Sequence, residues 1–296
     1  MVTRIASNAI RRLTELAPFP QPPYIPVRYP VVLMHGFGLF AALRRGGMMH
    51  RIAIKLRLHG VCAYAPNVVP YNTIPVRAEM WRDRIRQVLT ETGAERVHLI
   101  AHSMGGLDAR YLIAKLGYQD HVASLTTIST PHRGSPLADL VLAQPERLRD
   151  LAADLVNWIG QNAMVGTDSD VHRAVSELTT EYVTASFNQE VLDHPAVQYA
   201  SYAGACGKGT PDAINPILRP LNLLLYSREG VNDGYVSVES ARWGEDRGTI
   251  PADHLRQIGL QVTPGGSFVA TTFFTDVVTH LANLDAGLPP PDPARS

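Results

Sequence analysis

Ser103 is the residue with the clearest reactive potential, because it lies between a strand-like and a helix-like stretch. Val97–Ala101 is mostly apolar, and a helical pattern starts directly after Gly105-Gly106. Ala101-His102-Ser103-Met104-Gly105 is a variant of the G-x-S-x-G pattern, with alanine at the first glycine position. Such a sharp turn requires small residues on both sides and lifts the hydroxyl out of the sheet. The pattern predicts a nucleophilic serine; an ordinary helix N-cap serine is the alternative.

A nucleophilic serine also requires donors for the oxyanion that it generates. The backbone N–H of Met104, at the start of the following helix, is placed to be one of them. His35-Gly36-Phe37-Gly38 directly follows the apolar run Val31–Met34, and its glycines permit close backbone approach. We therefore expect the backbone N–H groups of Phe37 and Met104 to form an oxyanion hole.

The base is expected downstream, because chains with this turn place serine, acid and histidine in that order. His254 is favoured, since it lies in a loop between a turn and a short helix. His132 and His194 are minor alternatives, and His280 fits a structural role on a helix face. His102 adjoins Ser103, and we expect its ring to point to the opposite side of the strand.

The acid that orients the base is predicted to be Asp233. It lies in the turn Asn232-Asp233-Gly234, after the apolar run Leu223–Tyr226, which we interpret as a strand. Asp246 is a weak rival, and Asp253 is expected to face elsewhere because it adjoins His254.

The elements that must position these residues follow an alternating pattern. Strands are predicted at 27–34, 61–65, 96–102 and 122–129, and helices at 48–58, 77–92 and 107–116. Such alternation favours a parallel sheet with crossover helices. Further on, a strand at 197–204, a helical or mixed segment at 214–226 and a helix at 268–284 are expected.

Residues 134–195 contain helical stretches and little that resembles a strand. We predict one α/β domain over residues 1–296, with a helical lid or cap inserted at about 134–195. Ordinary crossover helices are the alternative interpretation.

Composition narrows the possible partners. The 27 basic and 27 acidic residues balance, so no general attraction to nucleic acid is expected. No stretch reaches the roughly 18 apolar residues of a membrane span, and the arginine-containing N-terminus does not resemble a signal peptide. A cytoplasmic location and secretion after signal removal both stay open. Cys62 and Cys206 are expected to be free thiols.

Taken together, these segments resemble the bacterial triacylglycerol lipases of the α/β-hydrolase superfamily, the true or family I lipases. The matching segments occur in the family's order over about residues 30–260: Val32–Phe37, Ala101–Gly106, Ser129–Ser135, Leu178–Thr180, Phe187-Asn188, Asn232–Gly234 and Asp253–Leu255. The resemblance implies an α/β-hydrolase fold with a mostly parallel sheet flanked by helices. It also implies a lid at about 136–170 that can cover an apolar acyl pocket.

The resemblance further implies Ser103 as nucleophile, Asp233 as acid and His254 as base in the hydrolysis of acyl esters. The substrate would be an ester or lipid, met at an oil–water interface in lipases, and no cofactor is required. Polyester hydrolysis, acyl transfer on the same triad and a catalytically silent binding protein are the alternatives. Many relatives carry a calcium-binding aspartate where this chain has Arg256, so structural calcium is not expected, although Asp212 could lie near another ligand position.

Overall fold

A six-stranded sheet is the centre of the computed structural model, which describes residues 22–36, 49–143, 171–260 and 268–288. The strands are Val31–Met34 (β1), Ala63–Tyr64 (β2), Val97–His102 (β3), Val122–Ile128 (β4), Gln198–Gly204 (β5) and Glu245–Ile250 (β6). Their order is β2-β1-β3-β4-β5-β6, and every neighbouring pair is parallel. The predicted parallel α/β sheet is thereby confirmed.

Helices connect these strands. They are His50–Leu58 (α1), Ile74–Thr92 (α2), Gly105–Lys115 (α3), Pro136–Ala143 (α4), Val171–Ser176 (α5), Arg219–Glu229 (α6), Val238–Ala241 (α7) and Ala270–Asp285 (α8). A π-helical segment, Tyr182–Phe187, runs directly into the short helix Asn188–Glu190. Short 3-10 helices occur at Gln119–His121, Pro216–Leu218 and Arg256–Ile258.

Two apolar cores lie on the two faces of the sheet. One core packs Leu56 of α1 and Phe274 of α8 against the sheet. The other packs Trp81 of α2 and Leu112 of α3 on the opposite face. Strands covered on both faces are typical of parallel sheets, which explains why nearly every residue of β1, β3 and β4 is buried.

The register brings the carboxyl ends of the central strands together. Met34 of β1 is paired with Ala101 of β3, and His102 is paired with Ile128 of β4. Ile128 is in turn paired with Tyr202 of β5. The loops that follow these strands therefore leave the sheet at one edge, where ligands of open α/β sheets bind.

Two expectations need correction. The segment at 214–226 is largely helical, as expected, so Leu223–Tyr226 is not the strand predicted before Asp233 but part of the helix α6, and Asp233 lies in the loop that follows this helix. The edge strand β6 was not predicted, because Glu245-Asp246-Arg247-Gly248-Thr249 is polar and carries no apolar alternation.

Two predictions fall outside the described residues. These are Phe37 as an oxyanion-hole donor and the part of the lid at 144–170. None of the helices in the described ranges has the length and hydropathy needed to cross a bilayer.

Candidate active site

Ser103 occupies a strained turn between β3 and α3. Its φ is 58°, in the left-handed region that residues other than glycine seldom adopt, and such strain often occurs at functional sites. Its backbone N–H donates to the carbonyl of Ile128 at 2.9 Å. The Thr130 hydroxyl donates to the Ser103 carbonyl at 2.7 Å. The turn is therefore held on both sides by the end of β4 and the residues just after it.

The loop after β1 packs directly against this turn at Gly36. A Cβ added to Gly36 would lie 2.6 Å from the Ser103 Cβ and 2.7 Å from the Met104 nitrogen. The backbone at residue 36 can approach so closely only because glycine has no side chain. Met104 itself is fully buried at the start of α3.

The buried side chain of Arg77, which the sequence analysis did not identify, is hydrogen-bonded to the backbone of the same loop. Arg77 Nη2 donates to the carbonyls of His35 and Gly36, at 2.8 Å and 3.2 Å. Its Nε donates to Asp108 Oδ2 at 2.9 Å, and neither of these two side chains has any exposed surface. Because a buried guanidinium needs both a counter-charge and acceptors, Arg77 fixes the direction of the two loop carbonyls.

Asp233 and His254 form a direct hydrogen-bonded pair. His254 Nδ1 donates to Asp233 Oδ2 at 2.7 Å, and the His254 backbone N–H donates to the Asp233 carbonyl at 3.0 Å. The other carboxylate oxygen, Oδ1, accepts from the N–H groups of Tyr235 and Val236 at 2.9 Å and 2.8 Å. Complete burial alone would raise the pKa of Asp233, but His254 and the two backbone donors bring it below its usual value.

The His254 ring lies beside the residue that precedes Ser103. Its centroid is 4.4 Å from that of His102 and 5.1 Å from that of Tyr235. His102 therefore lies in contact with the proposed base, and the expectation that its ring points to the opposite side of the strand did not indicate this contact. Burial, followed by the nearby His254, lowers the pKa of His102 to about 3, so His102 stays neutral.

Gln257 joins these groups and was also missed. Its Nε2 donates to Asp233 Oδ2 at 2.9 Å and to the Ala252 carbonyl at 3.2 Å. Its Oε1 lies 3.0 Å from His102 Nε2. Glutamine has no reactive group of its own, so only its position three residues after His254 could have drawn attention to it.

The alternative residues have other partners. His132 lies within hydrogen-bond distance of Thr127, stacks on Trp243 and is fully buried. His280 contacts Arg247. Asp253 accepts from the backbone N–H groups of Leu255 and Arg256, so it faces away from the pair as expected.

Comparison with known proteins decides the family. The alpha/beta hydrolase fold family matches residues 29–173. A triacylglycerol lipase of Vibrio cholerae is 36% identical over 293 residues, covering 92% of this chain and 91% of that protein. The chain belongs to the α/β-hydrolase lipases. Triacylglycerol lipase 2 of Saccharomyces cerevisiae is 36% identical over 174 residues, 58% of this chain.

The chain spans about half the length of the yeast lipase and of the triacylglycerol lipases of Pseudarthrobacter phenanthrenivorans and Burkholderia plantarii. Among solved structures, the mature form of the Bacillus licheniformis lipase BlEst2 superposes with a TM-score of 0.63 at 23% identity. That match covers 88% of this chain and 96% of the other, and it shows the α/β-hydrolase fold.

The position at which many family I lipases carry a calcium ligand does not fit a cation in this member of the family. Arg256 is 6% exposed, and its Nε lies 3.8 Å from Asp253 Oδ2. The guanidinium already supplies a positive charge there, and a second cation would be repelled. Within the described ranges, no three potential metal-binding side chains come together. The thiols of Cys62 and Cys206 are both free, as predicted.

Proposed function

We propose that this chain is a carboxylic ester hydrolase that cleaves acyl esters with Ser103 as nucleophile, His254 as base and Asp233 as the acid that orients it. One observation carries the proposal. A fully buried carboxylate is hydrogen-bonded at 2.7 Å to a histidine ring, and the centroid of that ring lies 4.4 Å from the ring of His102, which directly precedes a serine with a φ of 58°. The curated names of the V. cholerae and yeast relatives support an acyl ester as substrate.

The proton path follows from the hydrogen bond at Nδ1. Because Asp233 accepts from Nδ1, the other ring nitrogen of His254 is left to take the Ser103 proton as the hydroxyl attacks the ester carbonyl. His254 then protonates the leaving alcohol, which leaves an acyl group on Ser103. Water activated by the same nitrogen releases the acid.

The oxyanion of each tetrahedral intermediate would be held by the backbone N–H groups of Phe37 and Met104. Two contacts support this assignment: the close approach of Gly36 to the Met104 nitrogen, and the hydrogen bonds from Arg77 to the loop carbonyls. Loss of one such donor typically costs about 3 kcal/mol of transition-state stabilisation.

A lid over the site is the remaining part of the proposal. Residues 134–195 are proposed as an insertion in a single domain of residues 1–296, covering an apolar acyl pocket. The described parts of this segment support it, since α4, α5 and Tyr182–Glu190 are helical and contain no sheet strand.

The first prediction is that Ser103→Ala, with an unchanged fold, lowers the turnover of p-nitrophenyl esters by about 10⁴-fold or more. The reason is that no acyl-enzyme can form without the hydroxyl. A phosphonate ester should label Ser103 in the natural chain, and peptide mass spectrometry would identify the labelled residue.

Ser227→Ala is the matched control, because the Ser227 hydroxyl lies on the exposed side of α6 and bonds its own helix. It should keep full activity and phosphonate labelling. Retained turnover in Ser103→Ala, or a label on another residue, would refute the proposed function. Product analysis with competing alcohols separates hydrolysis from acyl transfer by the same triad.

A further inference from the structure

The amide of Gln257 has every hydrogen-bonding group engaged inside the protein. Both acceptors near its nitrogen are oxygens, the Asp233 carboxylate and the Ala252 carbonyl. The nitrogen must therefore face them, and Oε1 must face His102. Since a carbonyl oxygen only accepts, His102 Nε2 carries the proton and donates across 3.0 Å.

This chain of hydrogen bonds connects three separate segments. It runs from His102, next to Ser103 on β3, through Gln257 to Asp233 in the loop after α6. Asp233 Oδ2 accepts from Gln257 Nε2 and from His254 Nδ1 at the same time, at 2.9 Å and 2.7 Å. Gln257 is thus the side chain that ties the strand of the serine to the carboxylate that orients the histidine.

We propose that Gln257 is a positioning residue that fixes the Asp233 carboxylate, and through it the His254 ring, relative to the strand that carries Ser103. The inference rests on the proposed function, because it assigns Gln257 a role within that triad. Gln257 touches no reacting atom. Its effect is exerted through the geometry and the charge distribution of Asp233.

The absence of a side chain at Gly204, the last residue of β5, leaves the space that the Gln257 amide occupies. A Cβ added to Gly204 would lie 2.1 Å from Gln257 Nε2, 2.7 Å from the Asp233 Cβ and 2.8 Å from the Ala252 carbonyl oxygen. No rotation of a flexible side-chain end can relieve all three contacts. Glycine at position 204 is therefore a second requirement of the same arrangement.

The titratable side chains around the amide differ in what they contribute to a pH profile. Burial lowers the pKa of His102 to about 3 and raises the pKa of both Tyr235 and Cys206, so these three groups stay neutral in a neutral assay. Asp253 and Arg256 lie on the same turn as Gln257 and pair with each other. None of the three neutral groups therefore adds a charge beside Asp233 in such an assay.

The second prediction concerns Gln257→Met, which keeps the length of the side chain and removes its hydrogen bonds. The kcat for a p-nitrophenyl ester should fall by about 10- to 100-fold, the equivalent of one hydrogen bond to a charged group, while KM changes less than about twofold. Without the amide, more carboxylate charge faces His254 and stabilises the imidazolium. The acid limb of kcat/KM should therefore move to higher pH.

Ser124→Ala is the matched control for a merely structural loss. Ser124 is equally buried and lies 2.8 Å from a histidine ring nitrogen, that of His98, but at the opposite edge of the sheet. It should lower thermal stability without moving the pH profile. Gln257→Asn, which keeps a buried amide too short to span both partners, and Gly204→Ala, which displaces the amide, should both reproduce the Gln257→Met profile.

The outcomes separate this inference from the proposed function. If Ser103→Ala is inactive but folded Gln257→Met or Gln257→Asn keeps the natural kcat and acid limb, the role of Gln257 is refuted and the triad stands. If Ser103→Ala is active, the proposed function itself is refuted. If the acid limb also shifts in Ser124→Ala, then loss of a buried hydrogen bond far from the site has the same effect as loss of the Gln257 amide. The inference would then be refuted.

Discussion

The two carboxylate oxygens of Asp233 accept four hydrogen bonds, two each. Replacing this carboxylate therefore tests how it orients the His254 ring. Our third prediction is that Asp233→Asn lowers kcat by about 10³- to 10⁴-fold. The asparagine oxygen can still accept from the Tyr235 and Val236 N–H groups, which directs its NH₂ group toward His254. His254 Nδ1 must then accept rather than donate, so the other ring nitrogen carries the proton and cannot take one from Ser103. Steady-state kinetics with a thermal unfolding scan measures both effects.

Asp246→Asn is the control, because Asp246 is exposed and bonds the N–H of Gly248 in its own strand. It should leave kcat unchanged. Equal losses in the two variants would contradict the assignment of Asp233.

At the residue scale, the sequence predicts site residues that have reactive groups better than residues that act only through buried hydrogen bonds. Ser103, Asp233 and His254 have reactive groups in recognisable local patterns, and the structure brings the last two into contact. Arg77 and Gln257 act by being buried beside backbone carbonyls and a carboxylate of distant segments. Such partners depend on tertiary packing, which no local pattern encodes.

The close approach of the β1 loop to the start of α3 is a property of two elements. Our fourth prediction is that Gly36→Ala lowers kcat/KM by about 100-fold, the usual effect of an ångström-scale displacement at a reacting centre. The added methyl group would meet the Ser103 Cβ and the Met104 nitrogen, at 2.6 Å and 2.7 Å, and must push the two elements apart. Kinetics on a soluble ester, together with circular dichroism, measures the effect.

Gly93→Ala is the matched control. Gly93 ends α2 with a φ of 66°, and an added Cβ would meet no atom within 4 Å. It should cost about 1–2 kcal/mol of stability from backbone strain and leave kcat/KM unchanged. Natural kinetics in Gly36→Ala would contradict the close packing of loop and turn.

At the element scale, prediction succeeded where one physical signal dominated. The strands β3 and β4 were predicted correctly because most of their residues are buried and apolar, and α2 because one of its faces packs on the sheet. The strand β6 was missed because an edge strand with exposed positions needs no apolar pattern. The leucine run in α6 is compatible both with the helical or mixed segment predicted at 214–226 and with the strand predicted at 223–226, because a short apolar run does not distinguish the two structures.

Buried polar networks lie at both ends of the strands, one at the carboxyl ends, around Asp233, and one at the amino ends. At the amino-terminal ends of the strands, His98 Nδ1 lies 2.8 Å from the Ser124 hydroxyl, and His98 Nε2 lies 3.2 Å from Asp285 at the end of α8. Asp285 also accepts from the Arg28 N–H at 2.7 Å. This network attaches the last described helix to the strand that, at its other end, leads into Ser103.

The fifth prediction follows from the charge of Asp285. Partial burial raises its pKa, but the hydrogen bonds from His98 and Arg28 together lower it below the usual value. A lowered folded-state pKa gives stability that is present above the unfolded-state pKa and lost as pH falls through the folded-state pKa. Asp285→Asn should therefore cost about 1–2 kcal/mol of unfolding free energy at pH 7, and the difference from the natural chain should shrink below about pH 4.

Urea unfolding at several pH values measures this difference, with the exposed Asp120→Asn as control. A difference that stays constant from pH 7 to pH 3 would contradict the assigned role of the carboxylate.

About half of the chain separates Ser103 from His254, and this separation has a consequence for biosynthesis. During translation Ser103 is synthesised long before Asp233 and His254, so its hydroxyl at first has no base or acid beside it. In the proposed mechanism, reactivity arises only after β5, β6 and their loops have docked on strands made earlier. On this proposal, turnover appears late in folding, and a truncated polypeptide that ends between Ser103 and Asp233 has no hydrolase activity.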